Sequence, residues 1–289
     1  MALRALYDVP APAKLNLFLH VVGRRADGYH LLQSLFVPID WCDTLHFELR
    51  ADGRLARHDL GDALPADDLC LRAARTLQAT SGSGLGADIS IVKRIPSGAG
   101  MGGGSSDAAT TLLALNRLWG LRWPVDRLAP IALGLGADVP FFLGSGPALV
   151  EGIGERLTSV AWPARRYAVV KPPVGIETRK IFASPLLGRT PATATIEGFT
   201  GGGSGTSFGH NDLQTAAEAE CAEVAEAARW LHQRWGNSRM TGSGSAVFAS
   251  AGTDEEPAEV FPADLPTGWT GKMCRSLAAH PLRGWAAGE

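Results

Sequence analysis

Between Pro96 and Asp107 the chain reads PSGAGMGGGSSD, with five glycines from Gly98 to Gly104. Glycines remove the side chains that would hold an anion away from backbone N–H groups, and they permit the positive φ angles a tight cradle needs. The apolar spacing of Ala108, Leu112, Leu115 and Trp119 predicts a helix that starts at once. Its unbonded N–H groups and the positive end of its dipole then face the same hollow. Ser105 and Ser106 add hydroxyl donors. The chemistry expected of such a junction is phosphate binding, with Pro96, Gly98, Gly100, Gly102, Gly103, Gly104, Ser105 and Ser106 as candidate contacts. No G-K-[ST] follows, which excludes a Walker A loop. A G-x-G-x-x-G spacing does occur at Gly98, Gly100 and Gly103. It has no acidic residue at the end of a following strand, and it lies too far into the chain to open a Rossmann unit.

Other chemistry-bearing residues are isolated. Asp138 is a lone carboxylate among small and apolar neighbours in GADVPFF, suited to a buried base or to a turn or N-cap role. Lys14 is a lone cation at the head of an apolar run, where an edge lysine facing solvent is the plainer reading. Asn16 shares its face by the two-residue period of a strand. Tyr29 and His30 follow an Asp27-Gly28 turn, a place where a histidine is usually surface decoration.

The elements that must position these residues read as a mixture of strands and helices. Leu15–Val22, Leu31–Ile39 and Thr44–Leu49 are strand-like, with a polar turn from Gly23 to Gly28. Leu69–Ala79 reads as a helix capped by Asp67 or Asp68, and Ala87–Val92 as a strand feeding the glycine loop. Gly120 and Pro124 close the helix after the loop, and a further helix over Val125–Leu133 stops at Gly134. A border is expected over Ala148–Glu155. Beyond it come a strand at Tyr167–Val170, one long helix from about Gln214 to Trp235, and a strand at Ala246–Ala249. Thr200–Ser207 (TGGGSGTS) reads as a surface linker.

At roughly 150 residues per domain, 289 residues favour two domains. A net charge of −2 with no block of like charges argues against a nucleic-acid partner. Cys42, Cys70, Cys221 and Cys274 have no C-x-x-C spacing, so reduced thiols are expected rather than disulfides or zinc. Asp8, Pro10, Pro12 and Lys14 interrupt any signal-peptide core, and no apolar run could span a membrane. The expectation is a cytoplasmic protein with no membrane contact, as a monomer or a homodimer.

Three segments together resemble the GHMP kinase family: Pro12–Leu17 (PAKLNL), the glycine loop, and Thr241–Phe248 (TGSGSAVF). PAKLNLFLHVVGRRADGYHLLQS, LGADVPFFL and EGIGE are most similar to the branch whose acceptor carries a cytidine diphosphate moiety, on the non-mevalonate route to isoprenoid precursors. The resemblance implies an α+β fold of two domains, 1–150 for ATP and 151–289 for the substrate, with the active site in the cleft between them. It implies ATP and Mg²⁺, with the metal held mainly by phosphates and no protein ligand assigned. Asp138 becomes the base, assisted by Lys14. Tyr29 and Phe182 become the two faces of a clamp on cytosine, His30 the reader of its edge, and Ile153 a backbone contact. Asn16, Gly242, Ser243 and Gly244 join the substrate site. Asp68 and Leu69 border adenine, and Lys93 offsets phosphate charge. Family members often carry Asn where this chain has Asp68 and Asp107. At either position a carboxylate must point outward as a helix N-terminal charge or take part in Mg²⁺ binding, and the outward orientation is expected for Asp68 and Asp107. A homoserine or mevalonate type of GHMP kinase is the alternative.

Overall fold

The computed structural model describes residues 3–144, 146–190, 209–253, 255 and 260–286. The expected Thr200–Ser207 linker lies outside them. Two long antiparallel strands, β1 (Ala5–Arg24) and β2 (His30–Arg50), form the spine. β3 (Leu55–Asp59), helix α1 (Leu69–Ser81) and β4 (Gly86–Val92) follow. Next come α2 (Gly103–Leu118), α3 (Val125–Leu135) and a 3-10 turn at Pro140–Leu143, then β5 (Ala148–Gly152) and β6 (Arg156–Ser159). These strands make one sheet in the order β3-β4-β2-β5-β6, with β1 also pairing β2. A second sheet runs β10-β7-β9-β8, from β7 (Arg165–Lys171), β8 (Arg239–Met240), β9 (Val247–Thr253) and β10 (Thr270–Arg275). Helices α4 (Thr178–Ala183), α5 (Gln214–Glu220) and α6 (Ala222–Trp235) accompany that sheet.

Three apolar clusters fuse these pieces into layers. One lies between the first sheet and α1–α3, around Phe47, Leu77, Leu112 and Phe141. A second fills the space between the sheets, with Leu15, Leu35 and Ile39 against Tyr167, Val169 and Phe248. A third lies under α5 and α6. Along β1 the odd-numbered Ala13, Leu15 and Leu17 enter the inter-sheet core, so Lys14 and Asn16 are turned to the opposite face.

Several boundaries differ from expectation. Leu31–Ile39 and Thr44–Leu49 are parts of one strand, because Trp41 and Asp43 continue the buried alternation through the polar-looking DWCD stretch. α3 runs through Gly134 to Leu135. The single long helix expected from Gln214 is two, broken where Cys221 turns extended at φ −148 and ψ 105. The border expected near residue 150 falls inside β5, and the first sheet continues to Ser159. Asp68 is the cap of α1, accepting from Leu71 N at 3.0 Å.

The bend from α2 into α3 hangs on one buried amide. Asn116 Nδ2 donates to Trp123 O at 3.0 Å, and its Oδ1 accepts from Trp123 N at 2.9 Å. Replacing Asn116 with Ala orphans both backbone groups. We expect a loss of about 2–4 kcal/mol in denaturant unfolding, and a loss below about 0.5 kcal/mol would show that water reaches the turn.

Candidate active site

Lys14 is 3% exposed, and everything around it answers the cost of burying an ammonium. Its Nζ donates to Asn16 Oδ1 at 2.6 Å and to Gly100 O at 3.0 Å, and it lies 4.6 Å from the centre of the Phe36 ring. Asp138 Oδ2 is 3.6 Å away, with its side chain one-third exposed to the cavity. Burial pulls the Lys14 pKa down, and the Asp138 charge works against that pull. Asn16 Nδ2 donates to Ser34 Oγ at 2.9 Å, while Thr241 Oγ1 accepts from Asn16 N at 2.9 Å. Thr241 Oγ1 also lies 3.2 Å from Asn16 Oδ1. Asn16 thus lines the cavity with its amide already committed to holding Lys14.

The glycine loop and the Thr241–Ser245 loop meet backbone to backbone. Ser245 N donates to Gly98 O at 3.2 Å and Ala246 N to Ala99 O at 3.1 Å. At Gly100 a Cβ would stand 2.3 Å from Thr241 O, and at Gly242 it would stand 2.6 Å from Gly100 O. Both glycines have positive φ, 71° and 55°. Side chains are excluded here by the approach of the two halves of the molecule.

Two cavities adjoin this contact, and a third opens from one of them. The loop cavity, about 330 Å³, has Asp68, Leu69, Lys93 and Pro96 on its wall with Gly98–Ser105. The central cavity, about 260 Å³, holds Lys14, Asn16, Asp138, Ile153, Phe182 and Gly242–Gly244. The two share Gly98, Gly100 and Gly102. An outer cavity with Arg24, Tyr29, His30 and Arg179 shares Leu32, Ile153, Thr178 and Phe182 with the central one.

Most of the expected residues converge, with particular exceptions. Ser106 is fully buried and off the cavity wall, its hydroxyl without a partner among the described residues, because the first turn of α2 rotates it inward. Asp107 does not face outward. It is 3% exposed and bonds Lys93 Nζ through Oδ2 at 2.5 Å. Lys93 also bonds Asp43, so its ammonium is shared between two carboxylates. Burial works against the charge on Lys93, but Asp107 and Asp43 outweigh it and raise its pKa. Asp68 is tied to Arg57 Nη1 at 2.8 Å. His30, not Tyr29, stacks on Phe182, with centroids 5.1 Å apart and planes 22° from parallel. Tyr29 stands at the rim, 62% exposed. The N–H of Ile153 is already given to Glu155 Oε2 at 2.6 Å.

Sequence reasoning missed Asp43, Ser34 and Thr178. Asp43 signals itself only as an acid on the buried face of a strand. Ser34 is recognisable only once β1 and β2 are paired. Thr178 meets Ser243 at 2.7 Å across 65 residues of chain.

The loop contact yields a direct test. Gly100→Ala forces the two loops apart. We expect nucleotide affinity to fall by about tenfold or more, read by equilibrium binding, with far-UV circular dichroism unchanged. Unchanged affinity would separate this contact from the phosphate cradle.

Known proteins resemble this chain over nearly its whole length. The pattern described as GHMP kinases N terminal domain matches residues 68–146. A 4-diphosphocytidyl-2-C-methyl-D-erythritol kinase of Methylibium petroleiphilum is 64% identical, over 99% of this chain and 100% of its own length. The enzyme of the same name from Paracidovorax citrulli is 58% identical over 99% and 100%. A crystal structure of a 4-(cytidine 5'-diphospho)-2C-methyl-D-erythritol kinase superposes with a TM-score of 0.75 at 34% identity, covering 92% of this chain and 98% of that one. The Methanococcus jannaschii mevalonate kinase shares the fold at 12% identity, with a TM-score of 0.64 over 96% and 99%.

Proposed function

We infer what this chain does from one premise: it belongs to the GHMP kinase family, among the 4-diphosphocytidyl-2-C-methyl-D-erythritol kinases. We propose that it transfers the γ-phosphoryl group of MgATP to the C2 hydroxyl of 4-diphosphocytidyl-2-C-methyl-D-erythritol. The observation that carries this reading is the pair of cavities joined across Gly98, Gly100 and Gly102, with Asp138 and Lys14 on the acceptor side.

ATP enters as its magnesium complex. The Mg²⁺ is carried mainly by the phosphates themselves. The glycine loop and the start of α2 supply N–H donors to those phosphates, and Asp68 and Leu69 border the adenine. Phosphoryl transfer then needs chiefly alignment and charge neutralisation. Asp138 accepts the hydroxyl proton as the oxygen attacks. Lys14, 3.6 Å away, pairs with that carboxylate and brings a positive charge close to the transferring group. Asn16 holds Lys14 in place.

The outer cavity takes the cytidine end. Phe182 offers a ring face, and Tyr29 closes from the rim. His30, its pKa lowered by burial and by Arg24 and Arg189, stays neutral and can both donate to and accept from a base edge. The backbone of Ile153, with Gly242–Gly244 and Ser243, completes the wall around the acceptor.

The deciding experiment is ADP release with MgATP and, in turn, the diphosphocytidyl acceptor, homoserine, mevalonate and galactose. Turnover selective for the cytidine compound is expected. Turnover of homoserine or mevalonate instead would keep the kinase and discard the cytosine clamp. Asp138→Asn should lower kcat by roughly 10²–10⁴-fold with ATP affinity retained, and near-normal kcat would remove Asp138 as the base. A depressed Lys14 pKa also sets the sign of the pH profile. The ammonium is lost below the ordinary lysine value of about 10.4, so the rate should fall as pH rises through that lower value. An alkaline limb that persists in Lys14→Met would assign it to another group.

A further inference from the structure

At the floor of the loop cavity one ammonium serves two buried carboxylates. Lys93 Nζ bonds Asp43 from β2 and Asp107 from α2, the latter at 2.5 Å. Asp43 is fully buried and Asp107 is 3% exposed. Counted as ions, the three groups carry one uncompensated negative charge beside the place where phosphates are read to bind. Taking two like charges out of water with one counter-ion is unfavourable, and an incoming polyphosphate makes it more so. A proton from solvent relieves the conflict.

The surroundings say which carboxylate takes it. Asp43 Oδ1 accepts from Arg94 N at 2.5 Å and Ile95 N at 2.8 Å, and its Oδ2 accepts from Lys93. Both of its oxygens are thus filled, by three donors in all. Asp107 receives only Lys93, and its Oδ1 is buried without a partner among the described residues. It lies beyond the first turn of α2, where the helix dipole helps little. From α1 it faces Cys70, a thiol that burial keeps uncharged. Among the described residues Lys93 is the one cation paired with it.

We propose that Asp107 meets the nucleotide as a neutral carboxylic acid, its O–H donated to a phosphate oxygen, while the Lys93 ammonium turns from Asp107 toward the same phosphates. This rests on the reading that the loop cavity holds ATP. Asp107 and Lys93 both stand on the wall of that cavity, within reach of such a ligand. The proton comes from solvent and no bond other than O–H forms. Burial and the Asp43 charge raise the Asp107 pKa, and Lys93 opposes them, which is the direction the assignment requires. Because the bound state favours the acid further, nucleotide affinity is greatest at low pH and declines as pH rises through the window between the free and bound values.

The test is calorimetric titration of the wild-type protein with a non-hydrolysable MgATP analogue, in two buffers of different ionisation enthalpy, from about pH 7 to about pH 9.5. The difference between buffers counts protons. We expect uptake of a fraction of a proton per nucleotide on the alkaline side, with affinity falling there by up to about tenfold per pH unit. Asp107→Asn preserves a neutral donor of the same shape, so it should still bind the analogue, with proton uptake gone and affinity flat over the range. Binding by the wild type with no proton uptake anywhere overturns the proposal. So does an Asp107→Asn variant that keeps the slope, which would hand the titration to Lys14. If the wild type binds no nucleotide, the reading of the cavity falls and this proposal falls with it. Should the variant not fold, the wild-type proton count decides alone.

Discussion

A single buried ammonium organises this molecule. Lys14 reaches 3% exposure only because four different segments come to it: its own strand through Asn16, β2 through the face of Phe36, the glycine loop through a carbonyl, and the turn after α3 through Asp138. Leaving a buried charge unpaired costs several kcal/mol, so each of these segments is held to its place by the same group. The long β1–β2 ribbon sets Lys14 at the right depth. The glycine loop can approach because it carries no side chains where Thr241 and Gly242 press against it. The interior of the site is thus fixed by backbone proximity and one cation.

The legible parts of the sequence were those whose chemistry is local. A strand leading into glycines and then a helix is continuous in the chain, and its backbone forms the wall that the spacing implied. The two-residue period that set Lys14 beside Asn16 likewise needed only β geometry, and their side chains meet at 2.6 Å. Asp68 was recognisable as a cap because capping is decided within one turn. The α+β class and the kinase likeness followed from motifs of this kind.

The illegible parts depend on contacts far apart in the chain. Asp43 is 50 residues from Lys93, and nothing local says that its oxygens will be filled by the N–H groups of Arg94 and Ile95. Without that partner Asp107 looked like an ordinary first-turn acid. Polar residues at Asp40 and Asp43 resembled the end of a strand, while in the fold Asp43 is satisfied inside it. Cys221 interrupts an otherwise uniform Ala/Glu helix with no Gly or Pro to announce it. Phe182 was visible as an aromatic, but its stacking on His30 spans more than half the chain.

The row of cavities also bears on inhibitor shape. Loop, central and outer cavities are neighbours in sequence of space, and the partition between the first two is made of glycine backbone. A linear compound could therefore thread from the loop cavity to the aromatic rim without displacing a bulky side chain at the partition. Its polar middle would lie between Lys14 and the start of α2, where the protein offers cationic and N–H groups together. Selectivity would reside in the side chains on either side of the partition, since the partition itself is glycine backbone and distinguishes little between relatives.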